Sequence, residues 1–361
     1  MDKLRIAVAG AGLIGRTHIA LIERSHDARL SAIVDPAASA TEVARRGGVA
    51  LHAALGDLLA TDRPDGVILA TPNRLHVTQA LECIAAGVPV LVEKPVADSV
   101  EEGERLCAAA EGARAKVLVG HHRVHSPLLE AACAVIERGA LGRLVAVSGS
   151  ALFYKPDGYF DDAPWRTQPG GGPILINLIH EIGNLRAMCG EIVAVQALAS
   201  NAVRGFPVED TVAINLSFAN GALGTFLLSD SAASPRSWEQ TSQENPSYAT
   251  YPDEDCYVVV GTDGSLAVPT MRLKTYARKE DRSWWKPFRT EVVPVRREDP
   301  LARQLAHFCA VIRGQATPCV TAHDGLANLR VTEAIALAAR KGTVIRLDQA
   351  TKRLNALGTA A

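Results

Sequence analysis

The chain has 361 residues, with 38 basic and 39 acidic side chains and a formal net charge of −1. This balance provides no extended positive field, so neither nucleic acid nor an acidic membrane surface is expected as a partner. At roughly 100–200 residues per domain, the length predicts two domains. Hydrophobic residues make up 48% of the chain, which is enough for a sizeable core without disulfides or metal.

The seven cysteines are scattered along the chain. They lack the close spacing of a zinc or thioredoxin-like site, so we expect reduced thiols and no metal. Met1 is followed by Asp2, Lys3 and an apolar strand, and this start has no signal-peptide pattern. No apolar run reaches the roughly 20 residues needed to span a bilayer. The sequence therefore predicts a cytoplasmic protein.

The first third of the chain alternates between short apolar runs and helical patterns. Strands are predicted at 4–9, 30–34, 66–70, 89–93 and 116–120, with helices at 12–25, 38–46, 73–86 and 100–112. Repeated strand–helix units indicate a parallel sheet with helices on both faces. We expect this doubly wound α/β domain to end at residue 123.

The remaining residues, 124–361, have a different pattern and are predicted to form a second domain. A helix at 126–139, a strand at 143–151, a loop at 158–172 and a helix at 174–188 come first. Strands at 193–199, 211–218, 222–229, 256–260 and 271–276 then indicate a mostly antiparallel sheet. The polar segment 234–253 suits a lid or a subunit contact. Helices at 300–313 and 323–341, a strand at 344–347 and a helical or frayed tail close the chain.

A glycine-rich turn joins the first strand to the first helix, with the sequence Gly10-Ala11-Gly12-Leu13-Ile14-Gly15. Such glycines permit a tight turn, the approach of a pyrophosphate and close helix–strand packing. Asp35 ends the second strand 20 residues after Gly15, where a carboxylate binds the ribose hydroxyls of a dinucleotide. The motif predicts a Rossmann domain that binds NAD, because a carboxylate repels the 2′-phosphate of NADP. A purely structural turn is the alternative reading.

Three further motifs follow predicted strands, where ligands of such sheets bind. They are Thr71-Pro72-Asn73-x-x-His76, Glu93-Lys94-Pro95 and Gly120-His121-His122-Arg123. Lys94 would point at the nicotinamide, where burial and the cationic ring lower its pKa. It would then orient the reacting hydroxyl. The alternative is a surface lysine that pairs with Glu93.

His180 is the second catalytic candidate. Its helix has an apolar stripe, and Asn177, His180, Glu181 and Asn184 lie on the other face. The pattern predicts that His180 faces a site or solvent rather than the core. Histidine titrates in the range that a base for a hydroxyl proton needs. The preceding Gly170-Gly171-Gly172 would bring backbone close to a ligand or form a flexible turn.

Together with Trp165-Arg166 and Val208-Glu209-Asp210-Thr211, these motifs resemble the Gfo/Idh/MocA family of glucose–fructose oxidoreductases and inositol dehydrogenases. The resemblance implies a Rossmann domain followed by an α/β domain with a large, mostly antiparallel sheet. It implies that Lys94 and His180 act at the reacting carbon and that the open sheet face forms homodimers or homotetramers. It also suggests a cis Lys94–Pro95 bond. We assign to the cofactor site the glycine turn, Asp35 and the residues Thr71, Pro72, Asn73, His76, Glu93 and Lys94.

The sequence departs from the family pattern around the substrate. Ile176 and Gly183 stand where the family commonly has aspartates, with Asn177 and Asn184 beside them, and His121-His122 replaces an aromatic-Asn pair. We assign to the substrate pocket His121, His122, Tyr159, Arg166, Asn177 and His180, with Lys155 reaching it from the loop.

These assignments predict an NAD-dependent dehydrogenase that oxidises a secondary alcohol of a small molecule, namely a polyol, inositol or sugar. The lost aspartate and the added histidines and cations leave an anionic substrate open, such as a uronate or a carboxylated cis-dihydrodiol. A non-redox enzyme that uses NAD transiently and a non-catalytic NAD-binding regulator also remain as alternatives.

Overall fold

The computed structural model describes residues 2–347, and the predicted tail after residue 348 lies outside them. The chain forms two compact units. The first comprises the residues up to His125 together with Pro300–Leu329, and the second comprises Ser126–Asp299 together with the residues from Arg330. This division differs from the predicted boundary at residue 123 because residues 300–329 belong to the first unit.

The first unit is built on a six-stranded parallel sheet with the order β3-β2-β1-β4-β5-β6. Its strands are β1 (Leu4–Ala9), β2 (Ala28–Val34), β3 (Ala50–His52), β4 (Gly66–Leu69), β5 (Val90–Val92) and β6 (Val117–Val119). Its first five helices are α1 (Leu13–Arg24), α2 (Ala40–Gly47), α3 (Leu55–Thr61), α4 (Asn73–Ala85) and α5 (Val100–Gly112). This is the predicted doubly wound Rossmann architecture.

A later helix completes this unit. In chain order it follows four helices of the second unit that are given below, so it is α10 (Pro300–Ile312). A Cβ on Gly66 would lie 2.6 Å from Ile312 Cδ1 and 3.1 Å from Phe308 Cζ. The apolar face of α10 therefore packs directly on β4, which explains why residues 300–329 join the first unit.

The second unit contains a nine-stranded sheet with the order β14-β13-β12-β11-β7-β10-β9-β8-β15. The strands are β7 (Leu144–Leu152), β8 (Ile192–Ser200), β9 (Thr211–Phe218), β10 (Leu223–Ser229), β11 (Tyr257–Gly261), β12 (Gly264–Val268), β13 (Arg272–Thr275), β14 (Arg289–Val292) and β15 (Ile345–Arg346). Apart from the parallel pair β7–β10, the described pairs of this sheet are antiparallel. The prediction of a large, mostly antiparallel sheet is therefore confirmed.

The helices of the second unit are α6 (Pro127–Glu137), α7 (Gly158–Asp161), α8 (Ile179–Cys189) and α9 (Trp238–Thr241), while α11 (Ala322–Lys341) crosses the division between the units. Helices α6 and α8 cover one face of the sheet, and their apolar side chains share its core. Alternate residues of β10 are buried and exposed, so the opposite face of the sheet is open.

The polar segment 234–253 forms hydrogen bonds with other residues of the second unit. Glu244 accepts hydrogen bonds from Trp238 Nε1, at 2.9 Å, and from the Ser126 hydroxyl. Arg297 Nε donates to the Ser242 carbonyl oxygen at 2.8 Å. Trp238 is only 3% exposed. This anchoring argues against a lid, while a subunit contact stays a prediction.

Within residues 2–347, the structure contains no helix with the length and apolar character required to cross a bilayer.

Candidate active site

The glycine turn has the shape that a dinucleotide needs. Gly10 has a φ of +92°, and a Cβ on Gly15 would lie 1.8 Å from the Gly10 carbonyl oxygen. Gly12, at the N-terminus of α1, has nothing within 4 Å of its Cβ position, and no side chain caps the helix. The open approach at Gly12, with the free N–H groups of the helix end, fits a pyrophosphate.

Asp35 lies beside this turn at the end of β2. Its carboxylate accepts hydrogen bonds from the backbone N–H groups of Ala11 and Ala37, both at 2.8 Å. Each carboxylate oxygen has a further lone pair that can accept a hydrogen bond from a ribose hydroxyl. Asp35 therefore fits the predicted role and also fixes the glycine turn.

The loops after β4 and β5 are joined by His76. Its ring nitrogens lie 2.8 Å from the Pro95 carbonyl oxygen and 2.9 Å from that of Thr71. Burial lowers the pKa of His76, so the neutral ring donates to one carbonyl at a time. This residue braces the loops that carry Lys94 and Asn73, a structural role that the sequence did not indicate.

The Glu93-Lys94-Pro95 motif follows β5. Lys94 is partly buried and the Lys94–Pro95 bond is cis, as predicted. Glu93 is 6% exposed, and its Oε1 lies 2.8 Å from Nε2 of His18 on α1. Lys94 and Glu93 therefore do not form a pair at the surface, as the alternative required, because Glu93 is buried and Lys94 is partly buried.

His18 was missed by the sequence analysis. It lies three residues after Gly15 and is buried on α1 together with Ile19 and Ile22. A polar residue on an otherwise apolar helix face was the available signal.

The histidines after β6 also belong to the first unit. His121 is 2% exposed, and its Nε2 lies 3.2 Å from Asn328 Nδ2. Burial and the nearby Arg123 guanidinium lower the pKa of His122 to about 3. His122 is therefore neutral at physiological pH, and the positive charge expected from it in the substrate pocket is absent.

His180 belongs to the second unit and is the second residue of α8, which directly follows a π-helical segment, Ile174–Leu178. It is 8% exposed, which excludes a solvent-facing role. The predicted polar face of this helix is wrong for Glu181 and Asn184, which are each 1% exposed. Asn184 Nδ2 donates to the Tyr257 hydroxyl at 3.1 Å, and this hydroxyl donates to Glu181. The Tyr257 hydroxyl thus links Asn184 and Glu181 inside the core.

Lys155 lies close to the segment that carries His180. Its Nζ donates to Asn177 Oδ1 at 2.7 Å and lies 4.7 Å from the centre of the Tyr159 ring. The Arg166 guanidinium lies 3.8 Å from the same ring centre. Within the second unit, the structure thus brings together Lys155, Tyr159, Arg166 and Asn177 as a cluster, here called the cation cluster.

The charge of the cation cluster is only partly balanced. Asp230 Oδ2 lies 3.7 Å from Lys155 Nζ, while Asp230 Oδ1 accepts a hydrogen bond from Arg204 Nε at 2.8 Å. Burial lowers the pKa of Lys155 to about 8, with Asp230 opposing the shift. Lys155 is therefore mostly protonated at neutral pH, and the Asp230 carboxylate contacts both Lys155 and Arg204.

The glycines before His180 serve packing. A Cβ on Gly171 would lie 2.3 Å from the Trp165 carbonyl oxygen, and one on Gly172 would lie 2.3 Å from Glu209 Oε1. Glu209 Oε1 also accepts the Ile174 N–H at 2.9 Å. These contacts explain why Trp165, the glycines and Glu209 occur together in the sequence.

Comparison with known proteins gives matches along the chain. Residues 4–121 match the Gfo/Idh/MocA oxidoreductase family with an NAD-binding Rossmann fold, and residues 129–267 match the GFO/IDH/MocA C-terminal domain. The rhizopine catabolism protein MocA of Rhizobium meliloti is 26% identical over 344 residues, covering 92% of this chain and 94% of that protein. Inositol 2-dehydrogenase of Rubrobacter xylanophilus is 27% identical over 360 residues, covering 96% and 94%.

A solved structure extends the comparison to the fold. The WlbA dehydrogenase from Bordetella pertussis, in complex with NADH and UDP-GlcNAcA, matches with a TM-score of 0.76 and 26% identity, covering 96% of this chain and 99% of that one. Both halves of the chain, the glycine turn and the nine-stranded sheet lead to one conclusion: this chain belongs to the Gfo/Idh/MocA family of oxidoreductases and carries its NAD-binding Rossmann fold.

Proposed function

We propose that this protein is an NAD-dependent dehydrogenase that oxidises a secondary alcohol of a polyol, inositol or sugar. The observation that carries this proposal is the setting of Lys94, which follows β5 on a braced loop of the Rossmann unit. Ligands of such sheets bind at the carboxyl ends of the strands. The likeness to an inositol 2-dehydrogenase along almost the whole chain supports the substrate class.

In this proposal Lys94 and His180 act on the same substrate hydroxyl. The Lys94 ammonium donates a hydrogen bond to the hydroxyl oxygen and orients it. His180, which is buried and ordered by α8, accepts the hydroxyl proton. When bound, NAD would supply the two-electron acceptor. Asn177, one turn before His180, would contact the substrate.

Single and double substitutions test this pair. We expect Lys94→Ala and His180→Ala each to lower turnover by about 10²–10⁴-fold, the usual contribution of a positioned acid or base. The double variant should lose much less than the product of the two, because residues that act as a unit are not additive. Exposed Lys274→Ala and His26→Ala are matched controls. A variant with near-native turnover at saturating substrate would remove that residue from the mechanism.

An anionic substrate is the second candidate, and the cation cluster favours it. Lys155 is buried and protonated at neutral pH, and Arg166 Nε is a buried donor without a hydrogen-bond partner among the described residues. Carboxylates suit such donors. The WlbA structure, which contains the anion UDP-GlcNAcA, gives some support by likeness.

Paired substrates separate the two candidates. An aldose and its uronate differ mainly in one carboxylate, so their kcat/KM values can be compared directly. A preference for the uronate that is lost in Lys155→Met would favour the anionic class. An equal or better rate with the aldose, unchanged by the substitution, would favour the neutral class.

A further inference from the structure

The pair formed by His18 and Glu93 lies next to Lys94 in the fold. The side chains of His18 and Glu93 are 2% and 8% exposed, and Nε2 lies 2.8 Å from Oε1. The other carboxylate oxygen, Oε2, accepts the backbone N–H of Lys94 at 3.2 Å. One carboxylate thus connects helix α1 to the catalytic lysine.

Space for this carboxylate is provided by the neighbouring strand. A Cβ on Gly120, directly after β6, would lie 2.9 Å from Glu93 Cδ and 3.0 Å from its Oε1. A side chain at position 120 would therefore displace the Glu93 carboxylate. The glycine allows Glu93 to remain beside His18.

A buried carboxylate normally takes up a proton, because burial disfavours its charged form. Burial acts on Glu93 in this way, but the His18 hydrogen bond and the charges of His18, Lys94 and His122 together lower its pKa below the ordinary value. Glu93 is thus ionised in the folded protein. An ionised carboxylate near an amine favours the ammonium form of that amine.

The other titratable groups near Glu93 and Lys94 do not replace His18. His76 on α4 has a lowered pKa and lies between two backbone carbonyls. Burial lowers the pKa of His122, so this ring is neutral at physiological pH. Arg123 keeps its charge throughout the accessible pH range. Of these groups, His18 hydrogen-bonds the Glu93 carboxylate directly.

We propose that His18 is a positioning residue for Lys94: by hydrogen-bonding Glu93 it keeps an ionised carboxylate beside Lys94 and so keeps Lys94 an ammonium. This inference rests on the proposed function, in which the Lys94 ammonium orients the substrate hydroxyl. It assigns a role in the reaction to a residue of α1, the same helix whose N-terminus approaches the cofactor.

The titration of Lys94 can be measured without a substrate. The full chain is acetylated with acetic anhydride over a pH series, and the reaction at Lys94 is quantified by mass spectrometry, since only the neutral amine reacts. In His18→Leu, Glu93 loses its donor and takes up a proton. We expect the midpoint of Lys94 labelling to move down by about one to three pH units, the effect of one neighbouring charge.

Three further variants separate the effect of the Glu93 charge from a general change in the protein. Glu93→Gln removes the charge with little change in shape and should produce the same downward shift. His18→Gln retains an N–H donor toward Glu93 but not the charge of His18, so its labelling midpoint should lie between those of the native protein and His18→Leu. His323→Leu is a matched control, because His323 Nε2 also lies 2.8 Å from a glutamate, Glu111, but at an exposed site. It should leave Lys94 unchanged, and Lys274 serves as the internal reference in each sample.

The outcomes distinguish the inference from the proposed function. Unchanged Lys94 labelling in folded Glu93→Gln, or in folded His18→Leu, would overturn the inference even if Lys94→Ala abolishes turnover. A downward shift together with full turnover of Lys94→Ala would support the electrostatic link but refute the proposed function, and with it the role in catalysis. Circular dichroism establishes that each variant is folded.

Discussion

Lys155 has a charge that pH can remove within an ordinary assay range. Burial lowers its pKa to about 8, so the ammonium form dominates below pH 8 and the neutral amine above it. If the substrate is a carboxylate, we expect its KM to rise by about tenfold per pH unit above this pKa, since the protonated fraction falls by that factor. Initial rates between about pH 6 and pH 10 measure the effect.

A conservative substitution provides the control. Arginine stays protonated at every accessible pH, so Lys155→Arg should remove this pH dependence while it retains binding of the anion. A neutral polyol should show no corresponding rise in KM. An identical alkaline profile in native protein and Lys155→Arg would exclude Lys155 as the titrating group.

Asp35 should determine the choice between NAD and NADP. Its carboxylate is fixed by the N–H groups of Ala11 and Ala37, and a 2′-phosphate placed beside it would meet a like charge, which costs several kcal/mol. We expect tighter binding of NAD than of NADP by isothermal calorimetry. Asp35→Ser retains a hydrogen-bond acceptor. It should reduce the ratio of the NADP dissociation constant to the NAD dissociation constant by roughly tenfold or more. Native protein that binds NADP as tightly as NAD would contradict this role of Asp35. It would indicate Arg45 or Arg46 as a ligand of the 2′-phosphate.

At the scale of elements, two glycines of the turn between β1 and α1 have different roles, one in cofactor binding and one in packing. A Cβ on Gly12 meets nothing within 4 Å, whereas one on Gly15 would lie 1.8 Å from a backbone oxygen. We expect Gly12→Ala to retain the native melting temperature but to weaken NAD binding. Gly15→Ala should be destabilised by about 1–3 kcal/mol or more, the usual cost of overpacking. Equal stability of the two variants, measured by thermal unfolding, would show that the turn is more tolerant than its geometry indicates.

The elements predicted from sequence were those with a strong apolar pattern. Strands β1, β4 and β9 were predicted because their residues are buried in continuous or alternating runs. Strand β3 was missed because it is short and mostly exposed, and β14 was missed because all four of its residues are exposed. Edge strands depend on pairing with a neighbour, which local pattern does not reveal.

The residues of the candidate site that belong to a sequence motif could be predicted. Those whose burial depends on contacts between distant residues could not. The glycine turn, Asp35 and the Lys94 motif were all found from spacing. The burial of Glu181 and Asn184 was not, because their partner Tyr257 is distant in sequence. The same holds for His18 and Glu93, which are 75 residues apart. Polar pairs in a core become visible only when the chain has folded.

At the scale of the whole molecule, the open face of the nine-stranded sheet presents an apolar row. Leu198 on β8 and Leu227 on β10 both lie in register with Ala213 on β9, and the two leucines are 71% and 49% exposed. Leu223, on the same side of β10, is 61% exposed. Exposed apolar rows of this kind mark contact surfaces. We therefore expect this face to join copies of the chain into a homodimer or homotetramer.

Light scattering with size-exclusion chromatography measures this assembly. Leu198→Asp and Leu227→Asp should each lower the assembled fraction, because they introduce a charge into an apolar contact. Trp284→Asp is a control, since Trp284 is 85% exposed but lies outside this sheet face. A native protein that is monomeric at micromolar concentration would refute the expected assembly.

The accumulation of NADH is the most direct test of the proposed reaction, the net oxidation of an alcohol with NAD. The purified chain is incubated with NAD and a panel of polyols, inositols, aldoses, uronates and carboxylated cis-dihydrodiols, and NADH is followed by its absorbance. We expect stoichiometric NADH from at least one of these alcohols, and none from the same alcohol with Lys94→Ala at equal protein concentration. NAD binding without NADH from any member of the panel would contradict it and would favour a non-redox enzyme or a regulator.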